Sequence, residues 1–208
     1  MNRLEYLSSR LPIKGVLEAS LLDYPRGEPG AVLFFAGCDA RCAYCQASHL
    51  VEGSATLPSI SLAEVLKSFA ELRGFIRGVT LTGGEVTLLP ELGELLRILR
   101  KLGYSCRVDS YGAIPHRVDR WRTEGLIQAL AIDVKGPWHR YPSIAGHGRI
   151  HAERVLEISR WVRRLIDERD LDCEFRTTVH PEILSVEEIR ETARQVAGAD
   201  VYVLQNYN

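Results

Sequence analysis

The sequence contains no run of apolar residues that approaches the roughly 20 needed to cross a bilayer. Its first residues, MNRLEYLSSRLP, lack the apolar stretch and the small-residue cleavage site of a signal peptide. It also lacks an excess of charge, since the formal net charge is −1 and the longest basic patch is the short RWVRR at 160–164. These absences argue against membrane insertion, secretion and general binding to nucleic acids or membrane surfaces. We therefore expect a cytoplasmic protein.

Cysteine is scarce too, and its pattern excludes a disulfide framework. Of five cysteines, three crowd into a C-x3-C-x2-C motif formed by Cys38, Cys42 and Cys45. The other two, Cys106 and Cys173, lie in distant apolar, strand-like runs, where we expect them to be small buried hydrophobic residues. In a reducing compartment, a close cysteine cluster more often binds a metal or an iron–sulfur cluster than forms a disulfide.

Size and composition indicate one globular domain. The chain has 208 residues, of which 46% are hydrophobic and 25% are charged. The first 30 residues include SLLDYPRGEPG, whose prolines and glycines interrupt regular structure, so we expect an N-terminal edge segment or hairpin at 1–30. Residues 31–208 are expected to form the main domain.

Short β-branched runs alternate with helical patterns after residue 30. The predicted strands are 31–35, 78–82, 104–109, 127–133, 172–179 and 200–205. Apolar residues at helical spacing predict helices at 61–73, 90–103, 115–125, 151–169 and 185–198, with Ser61 and Ser185 as N-caps. Repeated β-α units imply an α/β fold with a parallel sheet, either an open doubly wound sheet or a partial barrel.

Polar and glycine-rich segments follow the predicted strands. The cysteine motif follows the first strand, and the later strand ends carry TGGE (82–85), DSYG (109–112), DVK (133–135), HPE (180–182) and QNYN (205–208). Both candidate folds place their chemistry at the carboxyl ends of the parallel strands. We therefore expect these groups to converge on one rim of the sheet.

Two kinds of site compete for the three cysteines. A structural zinc site needs four ligands, and His49 could complete a Cys3His set. Alternatively, three thiolates could hold a four-iron cluster and leave one iron with an open coordination position. The location of the loop after a strand end favours a functional site over a structural one. The size of the core points the same way, since metals that stabilise folding matter most in small domains without a core.

The motifs resemble those of a known family. C-x3-C-x2-C with Tyr44 before the third cysteine is similar to the signature of the radical S-adenosylmethionine (AdoMet) superfamily, and GGE at 83–85 to the motif that receives the AdoMet amino group. From about residue 15 onward, SLLDYP, FFAGCDARCAYC, TLTGGEVT, VDSYG, AIDVKGP, FRTTVHPE and YVLQNY resemble the glycyl-radical-enzyme activases, most of all the activating proteins of anaerobic ribonucleotide reductase.

The resemblance implies a single-domain, partial (β/α)6 barrel that binds a [4Fe-4S] cluster and AdoMet. Its cluster ligands would be Cys38, Cys42 and Cys45. In that family the open iron chelates AdoMet, which is cleaved reductively to methionine and a 5′-deoxyadenosyl radical. The protein would supply orientation and exclude water.

The resemblance also implies the residues that bind AdoMet. Gly83 and Gly84 would let the backbone approach the methionine moiety, and Glu85 would pair with its ammonium group. The residues around its carboxylate and ribose would be Asp109, Ser110, Asp133, Lys135 and Arg176. A monovalent cation, or Lys135, would separate the two aspartates. Lysine is rare here, with four lysines against 22 arginines, so a compact ammonium at Lys135 is informative.

The sequence departs from the family pattern at two of these motifs. Val86 stands where relatives usually carry proline after GGE, and Ser110-Tyr111-Gly112 stands where they carry Thr-Asn-Gly. A tyrosine cannot reproduce the hydrogen bonds of a short amide. The contacts to ribose or substrate are therefore expected to differ.

The expected reaction is abstraction of a Cα hydrogen from a glycine of a partner glycyl-radical enzyme, with electrons from a small protein such as flavodoxin or ferredoxin. Asp23 would contact the glycine-loop peptide, and rim loops at Tyr111 and Trp138 would clamp it. Two alternatives stay open. One is a radical AdoMet enzyme that acts on a small molecule, like the deazaguanine-forming synthases. The other is a zinc-stapled β/α binding protein without catalysis.

Overall fold

The computed structural model describes residues 2–146 and 150–207, which form one seven-stranded sheet flanked by helices. The strands are β1 (Ile13–Ser20), β2 (Gly30–Phe35), β3 (Gly78–Gly83), β4 (Ser105–Ser110), β5 (Ala129–Asp133), β6 (Asp172–Val179) and β7 (Val201–Asn206). The helices are α1 (Arg3–Arg10), α2 (Ser48–Val51), α3 (Leu62–Glu71), α4 (Leu92–Lys101), α5 (Pro115–Thr123), α6 (Ala152–Glu168) and α7 (Val186–Gln195). None of the helices in these two ranges combines the length and apolar character needed to cross a membrane.

The strands follow their chain order across the sheet, from β1 to β7. Strands β2 to β7 are all parallel, and β1 pairs antiparallel with β2. Each parallel pair is joined by a connection that contains a helix, which is the only short route between parallel neighbours. The fold is therefore a partial (β/α)6 barrel with one added antiparallel strand, which confirms the predicted fold class.

The six strands and five long helices predicted from periodicity are all present, with ends shifted by a few residues. Ser61 and Ser185 cap α3 and α7, and each forms a capping box with a glutamate three residues later. The helix α1 was not predicted. Its own capping box pairs Asn2 with Glu5, a signal that the sequence carries within the segment expected to form an edge element or hairpin.

The parallel strands bury one face against the helices. Leu33, Leu81, Val108, Ile132 and Phe175 belong to this core, and none of them is more than 1% exposed. Residues that alternate with them lie on the opposite, concave face, which lines the lumen of the partial barrel. Because side chains alternate between the two faces of a strand, polar residues in these strands collect in the lumen.

Candidate functional site

The loop that carries the three cysteines leaves the carboxyl end of β2. We call residues 36–47, which contain no helix or strand, the cysteine loop. The GGE segment after β3 fixes the start of this loop: the Gly84 N–H donates to the Phe35 carbonyl at 2.8 Å, and the Glu85 N–H donates to the Gly37 carbonyl at 2.9 Å. Two motifs far apart in sequence are therefore joined through main-chain hydrogen bonds.

The two glycines of GGE are required by this close backbone contact. A Cβ atom on Gly84 would lie 2.0 Å from the Gly37 carbonyl oxygen, and one on Gly83 would lie 2.5 Å from that of Phe35. Gly83 also has a φ of +115°, which side-chain-bearing residues rarely adopt. The structure thus gives these glycines a role in packing the GGE segment against the cysteine loop, and the predicted approach of their backbone to AdoMet stays a prediction.

Glu85 is buried and accepts four hydrogen bonds within the chain. One carboxylate oxygen accepts from the Ser110 hydroxyl at 2.7 Å and from the hydroxyl and main chain of Thr87, and the other accepts from the Tyr111 N–H at 3.0 Å. Burial raises the pKa of Glu85, against the lowering effect of these donors. The Ser110 hydroxyl in turn accepts from the Gly112 N–H at 2.8 Å. Both side chains therefore join the ends of β3 and β4, and their contacts with AdoMet stay a prediction.

The thiols of the cysteine loop are free and only partly buried. Burial raises the pKa of Cys38 to about 12 and also raises the pKa of Cys42, although Lys135 opposes the shift at Cys42. A cleft of about 670 Å³ lies beside the loop, and its lining includes Arg41, Cys42 and Cys45. His49 is exposed on the short helix α2.

Tyr44 secures the far end of the cysteine loop. Its ring is buried with Ile144 and Leu184, and its hydroxyl donates to the main-chain carbonyl of Lys135 at 3.2 Å. The Arg41 N–H also donates to the Ala145 carbonyl at 2.9 Å. The loop is therefore docked on the segment after β5, beside the DVK motif.

A chain of alternating charges crosses the lumen. The Arg176 guanidinium contacts Asp109 at 3.0 Å and Asp133 at 2.9 Å, and the Lys135 ammonium contacts Asp133 at 3.0 Å. Arg107 contacts Asp109 at 2.8 Å and Glu174 at 3.2 Å. We call these six side chains the lumen network. Its three cations and three anions balance. Arg176 lies between the two aspartates, whereas Lys135, one of the two cations predicted there, contacts Asp133 alone.

The pKa of Asp133 shows how strongly its neighbours in the lumen network act on it. Burial alone would raise its pKa, but the positive charges of Arg176 and then Lys135 outweigh that effect and hold the pKa well below its usual range. The same carboxylates raise the pKa of Arg176 and Lys135 despite burial. All three groups are therefore charged at neutral pH.

Arg107 and Glu174 were not predicted as members of the site. In the sheet register, Ala131 lies between Asp109 on β4 and Glu174 on β6. Its small side chain allows the charged groups of β4 and β6 to meet across β5. The signal in the sequence was present, because Arg107-x-Asp109 and Glu174-x-Arg176 each place opposite charges on one face of an otherwise apolar strand.

Asp23 does not join the groups at the carboxyl ends of the strands. It is exposed, accepts a hydrogen bond from the Ser20 hydroxyl at 2.5 Å, and its carbonyl accepts one from the Thr80 hydroxyl. The adjacent Tyr24 packs against Gly30 and Gly78, the first residues of β2 and β3. Asp23 therefore lies beside the amino-terminal half of β3, away from the carboxyl strand end that carries the cysteine loop.

The two rim residues expected to clamp a peptide are placed elsewhere. Tyr111 is only 3% exposed and its hydroxyl is bonded to Asp39, so it cannot form an open rim. Trp138 lies along α7, where its N–H donates to Gln195 and its ring packs 5.2 Å from that of Tyr141. The Tyr111 side chain is therefore occupied by Asp39, and a peptide clamp formed by the rim loops at Tyr111 and Trp138 stays a prediction.

The thiols fit a cluster that takes three protein ligands, because three free cysteines share one loop at a strand end. Within residues 2–146 and 150–207, no three Cys, His, Asp or Glu side chains are grouped closely enough to hold a metal ion. Binding a cluster therefore requires the loop to draw its thiols together, and the absence of helix or strand in the cysteine loop permits this.

A partial barrel with a thiol-bearing loop and a charged lumen at its strand ends belongs to the class of β/α enzymes that hold a cofactor at this rim. The sequence profile of the radical SAM superfamily matches residues 32–196, and the chain belongs to this superfamily. Membership makes it a radical AdoMet enzyme and implies a [4Fe-4S] cluster and AdoMet as cofactors.

Comparison with curated proteins finds two kinds of relative. A protein of Methanocaldococcus jannaschii, provisionally named a glycyl-radical enzyme activating enzyme, is 27% identical over 94% of this chain and 79% of its own length. The 7-carboxy-7-deazaguanine synthase of Methanopyrus kandleri is 31% identical over 54% of this chain. The match spans about half, 52%, of the synthase.

A solved structure supports the fold. Native anSMEcpe with bound AdoMet and a Kp18Cys peptide superposes with a TM-score of 0.61 at 16% identity, over 83% of this chain and 49% of that one. At this identity the likeness concerns the fold alone. The chain corresponds to about half of that protein.

Proposed function

We propose that this protein activates a glycyl-radical enzyme by abstracting a hydrogen atom from a glycine Cα of its partner. The observation that carries the proposal is the extent of similarity. The relative provisionally named an activating enzyme aligns with 94% of the chain, whereas the deazaguanine synthases of Methanopyrus kandleri and Bacillus subtilis align with 54% and 70%. The similarity to the activating enzyme therefore includes segments that the synthase alignments leave out.

Cys38, Cys42 and Cys45 are proposed to hold the cluster. The cluster and AdoMet together would supply the hydrogen-abstracting 5′-deoxyadenosyl radical, with electrons from a donor such as flavodoxin or ferredoxin. The main-chain bonds from GGE to the cysteine loop and the docking of Tyr44 on Lys135 support this assignment, because they hold the loop over the lumen at both ends.

Lys135 is proposed to bind the AdoMet carboxylate. Its main-chain carbonyl accepts from the Tyr44 hydroxyl at 3.2 Å, which places Lys135 beside the cysteine loop, and its positive charge acts to lower the pKa of Cys42 against the effect of burial. Asp133 holds Lys135, and Arg176 separates Asp133 from Asp109. Because Arg107, Arg176 and Lys135 together already pair with both aspartates, we propose that AdoMet binding needs no monovalent cation.

We propose that the AdoMet site is supported by Glu85, Ser110 and the two GGE glycines. Their side-chain and main-chain bonds fix the ends of β3 and β4 next to the cysteine loop. Asp23 stays a candidate contact for the substrate peptide at the opposite end of the lumen.

The reaction is tested with a peptide that copies the glycine loop of a glycyl-radical enzyme from the same organism, deuterated at the glycine Cα. We expect deuterium to appear in 5′-deoxyadenosine when the peptide is mixed with the reduced, cluster-loaded protein and AdoMet. Label arriving only from a deuterated small-molecule substrate of deazaguanine synthases would favour the alternative function. Protein that stays colourless, binds zinc and loses it in His49→Ala would support a zinc staple.

A further inference from the structure

Tyr111 makes a long-range contact with the cysteine loop. Its buried hydroxyl donates to one carboxylate oxygen of Asp39 at 2.6 Å. Asp39 directly follows Cys38 in the sequence. The tyrosine that departs from the family pattern therefore reaches from the end of β4 to the residue beside a proposed cluster ligand.

Arg154 completes this arrangement from the first turn of α6. One of its terminal nitrogens donates to the other carboxylate oxygen of Asp39 at 2.7 Å, and the second donates to the Ala113 carbonyl at 2.9 Å. The guanidinium also lies 5.9 Å from the centre of the Tyr111 ring. Asp39 is thus held on both oxygens, by two elements distant in sequence. Hydrogen bonds to a charged group are stronger than neutral ones.

The remaining anchors of the cysteine loop lie on either side of this contact. Gly37 bonds through its main chain to Leu50 and Glu85, and the Arg41 N–H donates to Ala145. Residues 38–40 lie between these anchors. Among the described residues, their hydrogen bonds to other elements are made by the Asp39 side chain. Within the loop, the Arg41 guanidinium donates to the Cys38 and Ala40 carbonyls at 2.8 and 2.7 Å, so the Asp39 side chain supplies the hydrogen bonds that tie this segment to β4 and α6.

We infer that Tyr111, Asp39 and Arg154 form a positioning triad that holds the Cys38 end of the cysteine loop over the lumen. The inference rests on the proposed role of this loop in binding the cluster. It also assigns a purpose to Tyr111, because a tyrosine is long enough to bridge from β4 to Asp39.

The decisive variant is Tyr111→Phe, which removes one hydroxyl and keeps the ring. Tyr104→Phe is the matched control, because Tyr104 is also buried and its hydroxyl donates a single bond, to the Phe69 carbonyl at 2.7 Å. In metal-free, reduced protein, the alkylation rate of each cysteine is followed by peptide mass spectrometry. We expect Tyr111→Phe to raise the alkylation rate of Cys38 about tenfold, equivalent to about 1.4 kcal/mol, and to leave the alkylation rate of Cys173 unchanged.

Two further measurements separate positioning from general loosening. Asp39→Asn keeps an acceptor for Tyr111 but loses the ion pair with Arg154, so Cys38 should again react faster. In cluster-loaded protein, Tyr111→Phe should alter the electron paramagnetic resonance signal of the reduced, AdoMet-bound cluster, while Tyr104→Phe leaves it unchanged. Equal Cys38 alkylation in wild type, Tyr111→Phe and Asp39→Asn would overturn the triad. Failure of wild-type protein to bind iron would instead overturn the proposed function, whatever the alkylation rates show.

Discussion

Arg176→Gln tests whether the lumen network holds the barrel together. In the folded protein the guanidinium makes contacts of 2.9–3.0 Å with Asp109 and Asp133 from a side chain that is 13% exposed. Removing one partner of a buried ion pair costs about 3–5 kcal/mol. In the variant, Arg107 still pairs with Asp109 and Lys135 still pairs with Asp133. We therefore expect a loss in the free energy of unfolding at the lower end of this range, about 3 kcal/mol.

The pH dependence of this loss has a definite sign. A carboxylate whose pKa is depressed on folding contributes stability that is present above its unfolded pKa, about 3.9 for aspartate, and is lost as pH falls through the folded value. Burial acts to raise the pKa of Asp133, and Arg176 is the largest of the opposing effects that depress it. The difference in the free energy of unfolding between wild type and Arg176→Gln should therefore be full at neutral pH and shrink below about pH 4.

The assay is urea and thermal unfolding of the metal-free, reduced protein, followed by circular dichroism at several pH values. About 3 kcal/mol corresponds to a fall in melting temperature of about 6–12 °C for a chain of this size. The control is Arg190→Gln, since Arg190 forms an exposed pair with Glu187 at 3.5 Å and should change stability by less than about 1 kcal/mol. Equal losses in both variants, or a loss that does not change with pH, would refute the reasoning.

Three further outcomes are expected. Alanine at any one of the three loop cysteines should abolish binding of about four irons, while Cys106→Ala and Cys173→Ala should still bind them. The iron content of each purified variant is the measurement. Lys135→Ala should weaken AdoMet binding by about 1–3 kcal/mol without loss of iron, and an unchanged dissociation constant would remove Lys135 from the site. Gly84→Ala should prevent stable folding, because its Cβ would lie 2.0 Å from the Gly37 carbonyl oxygen; a native melting curve would contradict this.

The strands, the long helices and the rim could be predicted because they depend on local periodicity and on the geometry of parallel sheets. The partners of individual side chains could not. Glu85 is bonded to residues 25 and 26 positions away, and Asp39 to Arg154, 115 positions away. A motif shows which residue types occur together, but several donors can compete for one carboxylate, and only the packed structure decides among them.

The lumen network limits how AdoMet could bind at the proposed site. Each of its six charges already has an opposite partner, so a ligand carboxylate that pairs with Lys135 must compete with Asp133. Asp133 can release Lys135 and remain paired, because Arg176 contacts it through a different oxygen. The exchange therefore leaves no buried charge without a partner, so its free-energy cost is low. In Arg176→Gln the same exchange would strand Asp133, so the variant should lose AdoMet affinity as well as stability.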